Sequence, residues 1–276
     1  KGSVTKMLSC ILNAQGYKTG LFSSPFVTRV NESIQLDGNE ISDNEFAELI
    51  GDIMPVAEAM NEPPTEFEIT TAAAFEYFSK KNCDVAVIEC GLGGDMDSTN
   101  VIEAPLLSVI TNVEADHSAF LGNTIAEIAA HKAGIIKGSR PVIVGELPTE
   151  AYDVVRQTAQ TVQAPLYIYN EHFTITGDAF AEIYTKNLKQ MEFTSLQRGL
   201  IGDHQRINAA MAITAFIEVA KVLNINVDAK LIQQALKNTA VPGRFEEVLP
   251  NVFFDGAHNP ASVHALVQTV KTYYPK

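Results

Sequence analysis

The chain has 276 residues, of which 46% are hydrophobic and 19% are charged, and this composition is typical of a globular protein with a well-buried core. Its net charge of −13 disfavours nonspecific nucleic-acid binding, which relies on lysine and arginine side chains to neutralise phosphates. No apolar run reaches the roughly 18 to 20 residues of a membrane-spanning helix, so we expect no membrane partner. The cysteines Cys10, Cys83 and Cys90 lack metal-ligand spacing, and we expect a reduced, cytoplasmic protein.

The first five residues, Lys1-Gly2-Ser3-Val4-Thr5, read as the end of a phosphate-binding loop. In such a loop backbone N–H groups surround phosphate oxygens, a lysine meets the outer phosphates and a hydroxyl helps to hold magnesium. The glycine-rich front half of the motif would precede Lys1, so we expect the chain to continue upstream. The pentapeptide also occurs by chance in many loops, and its interpretation depends on the motifs that follow it.

Short apolar runs alternate with amphipathic helical stretches over the first part of the chain. The predicted helices are Ser42–Met60 and Glu66–Lys80, and capping boxes begin at Ser42, Thr65 and Thr124. The predicted strands are Thr19–Ser23, Val85–Cys90, Leu106–Asn112, Pro141–Val144 and Val252–Asp255. The strands are apolar at nearly every position, which favours a mostly parallel sheet covered by helices on both faces. We therefore predict an α/β fold of the P-loop type.

The pattern changes near Pro165. Short runs separated by turns predict a small antiparallel β region, and these runs are Leu166–Tyr169, Phe173–Thr176, Phe180–Tyr184 and Met191–Phe193. Helices are predicted over Gln205–Leu223 and Asp228–Asn238. Val241-Pro242-Gly243 interrupts the helical pattern, and a new strand–helix unit begins at Asn251. We predict an ATP-binding domain over residues 1–243 and an interdomain segment with the start of a second α/β domain over residues 244–276.

Polar residues follow several predicted strands, where open parallel sheets bind their ligands. Glu89 ends a buried strand before a glycine-containing loop, and its carboxylate can ligate Mg²⁺ beside a triphosphate. The alternative is a solvated glutamate before a turn. His117 is either a metal ligand or an ordinary loop histidine. Ser24 either completes a magnesium shell or belongs to a Ser-Pro turn.

Two further segments carry groups of interest. Lys132 lies near the end of the helix that begins at Thr124, where a basic residue complements the helix dipole. Alternatively, a partly desolvated Lys132 stays neutral and reacts with CO₂, and the carbamate is an anionic oxygen ligand. Asp255 and His258 lie between a strand and a helix, and the capping that explains Asn259-Pro260 does not explain them.

These motifs together resemble one family. In chain order they are Lys1-Gly2-Ser3, Ser23-Ser24-Pro25, Thr65-Glu66-Phe67-Glu68, the Glu89 loop, Asp116-His117, His131-Lys132-Ala133-Gly134-Ile135-Ile136-Lys137, Gly202-Asp203-His204-Gln205-Arg206-Ile207-Asn208, Pro242-Gly243-Arg244 and Asp255-Gly256-Ala257-His258-Asn259-Pro260. This order is similar to that of the folylpolyglutamate synthase and dihydrofolate synthase family, within the Mur ligase superfamily. Single motifs are weak signals, but the full set in register runs from the first residue to the last motif.

The resemblance implies an ATP-dependent ligase that adds L-glutamate to dihydropteroate, to reduced folates or to both. In the family, ATP phosphorylates the carboxylate of the pterin substrate, the amine of glutamate attacks the acyl phosphate, and ADP and phosphate are released. The implied cofactors are ATP, two magnesium ions, an N6-carboxylated Lys132 and, as a further candidate, K⁺. The family also implies a monomer that uses small-molecule partners and no nucleic acid.

The resemblance also implies roles for individual residues. Ser24 and Glu89 would hold the first magnesium ion, and Glu89, His117 and Lys132 would hold the second. The implied catalytic residues are Lys1, His117 and Lys132. The implied ATP-binding residues are Lys1, Gly2, Ser3, Asn208, Arg244, Asp255 and His258. The implied pterin-contacting residues are Thr65, Glu66, Phe67, Glu68, Met96, Asp97 and Ser98.

Phe26 departs from the family pattern, because many members that also make dihydrofolate carry a histidine there. The front of the P-loop and most of the C-terminal domain are expected outside residues 1–276, and we expect this fragment to be inactive by itself. Three other functions stay open at this point: a peptidoglycan-precursor ligase of the same superfamily, a nucleotide-binding module without catalysis, and a simple NTPase or kinase.

Overall fold

The computed structural model describes residues 1–114, 118–178, 181–187 and 190–274. Its helices are α1 (Gly2–Ala14), α2 (Asp43–Glu58), α3 (Glu66–Lys80), α4 (Ser118–Leu121), α5 (Ile125–Ala133), α6 (Thr149–Thr161), α7 (Asp203–Leu223), α8 (Ala229–Asn238) and α9 (Pro260–Tyr273). Its strands are β1 (Thr19–Phe22), β2 (Ile34–Leu36), β3 (Asn39–Glu40), β4 (Val85–Ile88), β5 (Ser108–Ile110), β6 (Val142–Val144), β7 (Leu166–Ile168), β8 (Phe173–Asp178), β9 (Ala181–Lys186), β10 (Met191–Leu196), β11 (Glu246–Leu249) and β12 (Val252–Phe254). Two short 3-10 helices span Val30–Ser33 and Ser98–Val101. No described helix is both long and apolar enough to span a bilayer.

Two parallel arrangements form the centre of the molecule, as the apolar strand pattern predicts. In the first sheet the strand order is β3-β2-β1-β4, and β1 pairs with β4 in parallel so that Phe22 lies opposite Ile88. In the second sheet β5, β6 and β7 are all parallel, and every residue of β6 is buried. The mixed α/β fold with parallel strands is therefore confirmed, and the predicted strands of these two sheets form with shortened ends.

The open edges of β4 and β5 border an apolar groove of about 510 Å³. Val4, Leu8 and Leu12 on one face of α1 line the groove together with both strands. α1 also packs against α7, and the two helices share the largest hydrophobic cluster with α8 and the β8–β10 sheet. This central position of α1 fixes its N-terminus near the carboxyl end of β4.

Three helix starts follow the capping boxes that the sequence predicts. The side chains of Ser42, Thr65 and Thr124 each accept a hydrogen bond from the backbone N–H three residues later. Glutamate side chains complete each box by accepting from the N-cap backbone. These local interactions explain why α2, α3 and α5 begin where the sequence indicates.

One predicted strand belongs to a different sheet. The run Leu166–Tyr169 was expected in the antiparallel region, but β7 instead pairs in parallel with β6 after the crossover helix α6. The antiparallel sheet consists of β10, β9 and β8. The expectation was wrong because α6 was not predicted, and parallel pairing of neighbouring strands requires such a crossover helix between them.

The last described segment forms a small unit of its own. β11 and β12 pair as an antiparallel hairpin, and α9 follows β12. The rings of Phe245 and Phe253 stack with their centroids 4.7 Å apart, and Tyr274 contacts both rings. α9 packs against α7, so this unit contacts the main body. The division at residues 243 and 244 stays a prediction.

A buried ion pair joins the antiparallel sheet to α7. Lys186 on β9 donates to Glu218 on α7, and their side chains are only 2% and 5% exposed. The ammonium group also lies 4.4 Å from the centroid of the Tyr167 ring. Lys221 donates to the same Glu218 oxygen at 2.8 Å, but its side chain is 55% exposed. Glu218 therefore bridges a buried and an exposed lysine.

We expect Glu218→Ala to lower the free energy of unfolding by about 3 kcal/mol, because it leaves the Lys186 charge buried without its partner. Lys221→Ala is the matched control, and loss of this exposed partner is expected to cost less than about 1 kcal/mol. Urea titration of both variants measures the difference. Equal losses in the two variants would contradict a dominant role for the buried pair.

Candidate active site

Lys1 brings the N-terminus of α1 to the carboxyl end of β4. Its Nζ donates to the backbone oxygens of Cys90 at 2.6 Å and of Gly91 at 2.8 Å. Gly2 begins α1, and a Cβ atom at this position would lie 3.3 Å from Oε2 of Glu89. The lack of a side chain at Gly2 therefore lets the positive end of the helix dipole approach a carboxylate closely.

Glu89 is a buried carboxylate with an unsatisfied oxygen. The residue is 5% exposed, and within the described part of the chain Oε2 has no hydrogen-bond partner. Burial raises the pKa of Glu89, while the charge of the Lys1 side chain, a backbone hydrogen bond from Ser24 and the charge of Arg244 oppose this rise. A buried carboxylate oxygen without a partner destabilises the folded state unless a cation or a hydrogen-bond donor contacts it.

The surroundings of Glu89 fit a magnesium ion. Mg²⁺ is bound through one or two carboxylates and keeps water or phosphate oxygens in its other positions. Ser24, which was predicted as a second ligand, lies beside Glu89 through its backbone. Over the described ranges, no group of three His, Cys, Asp or Glu side chains is arranged to hold a metal. The predicted ligand His117 lies outside these ranges.

The loop after Glu89 rests on the C-terminal end of α5, which carries Lys132. The backbone N–H of Asp95 donates to the His131 oxygen at 2.9 Å, and Nδ1 of His131 lies 2.9 Å from Oδ1 of Asp95. Asn100 Nδ2 donates to the Gly134 oxygen at 3.3 Å. Lys132 is close enough to Cys90 for its positive charge to oppose part of the rise that burial causes in the pKa of the Cys90 thiol. The structure therefore places Lys132 near the end of β4.

Cys90 is not suited to be a nucleophile. Burial raises the pKa of its thiol to about 11, and the nearby Asp97 carboxylate adds to the rise. The reactive thiolate is therefore scarce at neutral pH.

The two segments predicted to contact a pterin lie side by side, but several of their polar groups already have partners. Glu68 accepts from the Thr65 backbone N–H at 2.6 Å and from its hydroxyl at 2.8 Å, so both residues cap α3. Asp97 accepts from the Leu92 N–H at 2.8 Å and caps the 3-10 helix at Ser98. The remaining members of these segments are Glu66, Phe67, Met96 and Ser98.

The exposed and apolar members of these segments are the ones that remain available to a ligand. Met96 is 89% exposed. The Phe67 ring lies 5.9 Å from the Phe22 ring, between α3 and the end of β1. Ser98 Oγ lies 3.4 Å from Thr71 Oγ1 on α3, which joins the two segments. An apolar surface with few free polar groups suits a planar, partly aromatic ligand.

A cleft of about 430 Å³ opens on the other side of Lys1. One wall is the first turns of α7, and the other consists of α9 and the loop that precedes it. All the residues predicted to bind ATP, except Gly2, line this cleft, namely Lys1, Ser3, Asn208, Arg244, Asp255 and His258. The structure therefore brings together residues from the two ends of the chain.

The loop before α9 is held by Asp255. Its Oδ2 accepts from the Phe245 N–H at 2.8 Å, and its Oδ1 accepts from the Ala257 N–H at 2.9 Å. His258 donates from Nδ1 to the Gly256 oxygen at 2.8 Å, because a carbonyl oxygen can only accept. This hydrogen bond holds the ring of His258, which lines the cleft.

Two further residues on α7 line the cleft, and the sequence motifs predict no ligand-binding role for either of them. Gln205 is buried, and its Nε2 donates to Ser3 Oγ at 3.2 Å while its Oε1 accepts from Asn208 at 2.9 Å. His204 also lines the cleft, and burial lowers its pKa. The motif that contains Gln205 and His204 was recognised, and their position at the start of a predicted helix was the signal for a ligand-facing role.

The chain matches the Mur ligase middle domain over residues 1–216. It is 39% identical to a dihydrofolate synthase/folylpolyglutamate synthase of Bacillus subtilis over 98% of this chain and 65% of that protein. It is 35% identical to a folylpolyglutamate synthase of Lacticaseibacillus casei over 99% of this chain and 66% of that protein. The chain thus spans somewhat less than two thirds of the length of these relatives.

Solved structures show the same similarity in three dimensions. A structure described as an FPGS-AMPPCP complex aligns with a TM-score of 0.94 at 34% identity, over 100% of this chain and 70% of the other. A structure described as an FPGS-AMPPCP-folate complex aligns with a TM-score of 0.92 at 35% identity over the same shares. AMPPCP is an analogue of ATP. With the motifs in register and the fold shared over its whole length, the chain belongs to the folylpolyglutamate synthase and dihydrofolate synthase family of Mur ligases.

Proposed function

We propose that the whole protein is an ATP-dependent ligase that adds L-glutamate to the carboxylate of dihydropteroate, of reduced folates or of both. ATP would phosphorylate this carboxylate and release ADP, and attack of the glutamate amine on the acyl phosphate would form the amide and release phosphate. One observation carries the proposal: Lys1, the N-terminus of α1 and the buried Glu89 converge between a nucleotide-sized cleft and a separate apolar surface. A ligase of this type needs both sites next to one point of phosphoryl transfer.

In this proposal Lys1 and the first turn of α1 bind the outer phosphates of ATP. Ser3 is held by Gln205, so its hydroxyl has a fixed position beside the phosphates. Asn208, Arg244, Asp255 and His258 would contact the rest of the nucleotide, since they line the same cleft. Gly2 would contribute its backbone N–H group.

Glu89 and Ser24 would hold a magnesium ion, and Glu89, His117 and Lys132 would hold a second one. The ions would neutralise charge that develops on the transferred phosphoryl group. The unsatisfied Glu89 oxygen supports the first site. Support for an N6-carboxylated Lys132 is its position at the end of α5, beside the loop that follows Glu89. A bound K⁺, the monomeric state and the cytoplasmic location stay predictions from the sequence.

The pterin would bind on the surface formed by the Thr65–Glu68 and Met96–Ser98 segments. Thr65, Glu68 and Asp97 would shape this surface through their capping hydrogen bonds. Phe67 and Met96 would supply the apolar contacts, with Glu66 and Ser98 at its border. This division of roles rests on which side chains already have partners.

The first test is the release of ADP by the whole protein with ATP, Mg²⁺ and L-glutamate, to which dihydropteroate or tetrahydrofolate is added in turn. Release with both substrates would establish a bifunctional synthase, and release with tetrahydrofolate alone would establish polyglutamylation only. ATP consumption that does not depend on glutamate would instead support a simple NTPase or kinase. No release with either pterin would contradict the proposal and favour a peptidoglycan-precursor ligase or a module without catalysis.

Glu89→Gln is expected to remove the Mg²⁺ dependence of AMPPCP binding, because the amide keeps the shape of the side chain without its charge. In the absence of metal the same variant should be more stable, since an unsatisfied buried carboxylate is lost. A gain of about 1 kcal/mol corresponds to a rise in Tm of about 2–4 °C for a protein of this size. Thermal unfolding with and without Mg²⁺, and calorimetric titration with AMPPCP, measure the two effects.

Asp97→Asn is the control variant, and we expect its Tm to change in the opposite direction to that of Glu89→Gln. Its carboxylate accepts several backbone and side-chain hydrogen bonds in its own loop, so the substitution should lower the Tm. A Glu89→Gln variant with a lower Tm than the unchanged protein, or with normal Mg²⁺ dependence, would refute the metal-binding role.

Lys132→Ala in the whole protein is expected to abolish ADP release, and a short carboxylate such as acetate should restore part of it. The added carboxylate would replace the anionic oxygen that a carboxylated lysine supplies. Lys137→Ala, a few residues beyond the end of α5, is the control and should retain activity. Activity of Lys132→Ala at the level of the unchanged protein would remove the second metal site from the mechanism.

A further inference from the structure

Arg198 is a buried arginine that lies outside the nucleotide cleft. It follows β10, and its side chain is 2% exposed. Its Nε donates to Oε2 of Glu182 at 2.8 Å, and its Nη2 donates to Oε1 at 2.8 Å. Glu182 lies on β9 and is 0% exposed. This bidentate pair holds the guanidinium plane in one orientation.

The third nitrogen of the guanidinium group holds the segment that leads into α7. Nη1 of Arg198 donates to the backbone oxygen of Leu200 at 2.6 Å and to that of Gly202 at 3.1 Å. Gly202 is the N-cap of α7 and has φ of 112°, a conformation that side chains disfavour. The start of α7 is thus fixed by a glycine turn whose carbonyl oxygens face a fixed cation.

The same turn is in contact with the opposite wall of the cleft. A Cβ atom at Gly202 would lie 2.7 Å from Oγ1 of Thr269 on α9, so the Thr269 side chain packs directly against the backbone of this turn. Nη2 of Arg198 also lies 3.5 Å from the Tyr273 hydroxyl on α9. Arg198 therefore contacts the bases of both walls, while Thr269 and the α7 residues Gln205 and Asn208 line the cleft itself.

We propose that Arg198 is a positioning residue for nucleotide binding, which sets the spacing between the first turn of α7 and α9. The inference rests on the nucleotide site proposed above. Arg198 does not itself line the cleft, so it acts through the Leu200 and Gly202 carbonyl oxygens. Only a planar guanidinium can bind a carboxylate in bidentate fashion and two carbonyl oxygens at once, and a lysine ammonium cannot do so.

The competing interpretation is that Arg198 only stabilises the antiparallel sheet through Glu182. A double variant separates the two. Arg198→Met combined with Glu182→Leu removes both buried charges, and replacement of a buried ion pair by apolar residues is often neutral for stability. The double variant cannot restore the hydrogen bonds to the two carbonyl oxygens. We therefore expect this variant to keep the stability of the unchanged protein while its affinity for the nucleotide falls.

The control is Arg206→Met. Arg206 on α7 donates to the same Glu182 carboxylate at 3.0 Å, but its other ion pair is with Asp203 on α7 itself, and its side chain is 25% exposed. The Arg206→Met variant therefore removes one partner of Glu182 and leaves the contacts of Arg198 in place. Arg198→Lys is added as the conservative variant, which keeps the charge without the planar fork.

The experiment is calorimetric titration of the whole protein with AMPPCP in the presence of Mg²⁺, together with thermal unfolding and ATP-dependent ADP release. We expect the double variant to have a Tm close to that of the unchanged protein and about tenfold weaker AMPPCP binding. Its KM for ATP should rise while kcat at saturating ATP changes little. Arg206→Met should bind AMPPCP normally, and Arg198→Lys should bind it more weakly than the unchanged protein.

AMPPCP binding by the double variant as tight as that of the unchanged protein would overturn the positioning role. If the double variant does not fold, Arg198→Lys decides, and normal affinity of that variant would overturn the role as well. Lack of AMPPCP binding by the unchanged protein is a separate result. It would overturn the nucleotide site, and with it this inference, before any variant is compared.

Discussion

Burial of the Glu89 carboxylate is the constraint on which the site depends. A carboxylate that is 5% exposed is unfavourable unless positive charge or hydrogen-bond donors meet it. The fold supplies positive charge from α1, whose N-terminus carries Lys1 and reaches Glu89 because Gly2 has no side chain. α1 can take this position only because its other face packs between β4 and α7. The central helix packing and the electrostatics of the site therefore have one common cause.

The rest of the site is arranged on both sides of this point by contacts between distant parts of the chain. On one side, the loop after β4 rests on the end of α5 through Asp95 and His131. On the other side, Gln205 on α7 reaches Ser3, which is 202 residues away in sequence. Such contacts cost loop-closure entropy, which the hydrophobic cluster around α1 and α7 must offset. The site is thus a consequence of tertiary packing rather than of any single motif.

The sequence predicts the parts of this arrangement that have a local cause. Runs that are apolar at nearly every position identify β1, β4 and β6, and capping boxes identify the starts of α2, α3 and α5. The assignment of β7 was wrong because strand pairing depends on the crossover that precedes a strand, and α6 was not recognised. The buried pair of Arg198 and Glu182 could not be predicted either. Glu182 lies on β9 and Arg198 follows β10, and Arg198 also donates to a backbone carbonyl oxygen, which no residue pattern indicates.

The acidic residues of the site differ in what their carboxylate oxygens contact. This difference distinguishes residues that hold the backbone in place from a residue whose oxygen is available to a ligand. Glu68 and Asp255 both accept hydrogen bonds from backbone N–H groups, so their charges hold turns and helix ends in place. Glu89 alone among these three keeps a buried oxygen without a protein donor in the described residues. The sequence motifs do not distinguish these three residues, because a carboxylate at a strand end or at a helix start can either cap the backbone or bind a metal ion. The hydrogen bonds of each oxygen therefore support the proposed metal-binding role of Glu89, whereas the carboxylates of Glu68 and Asp255 already hold backbone N–H groups in place.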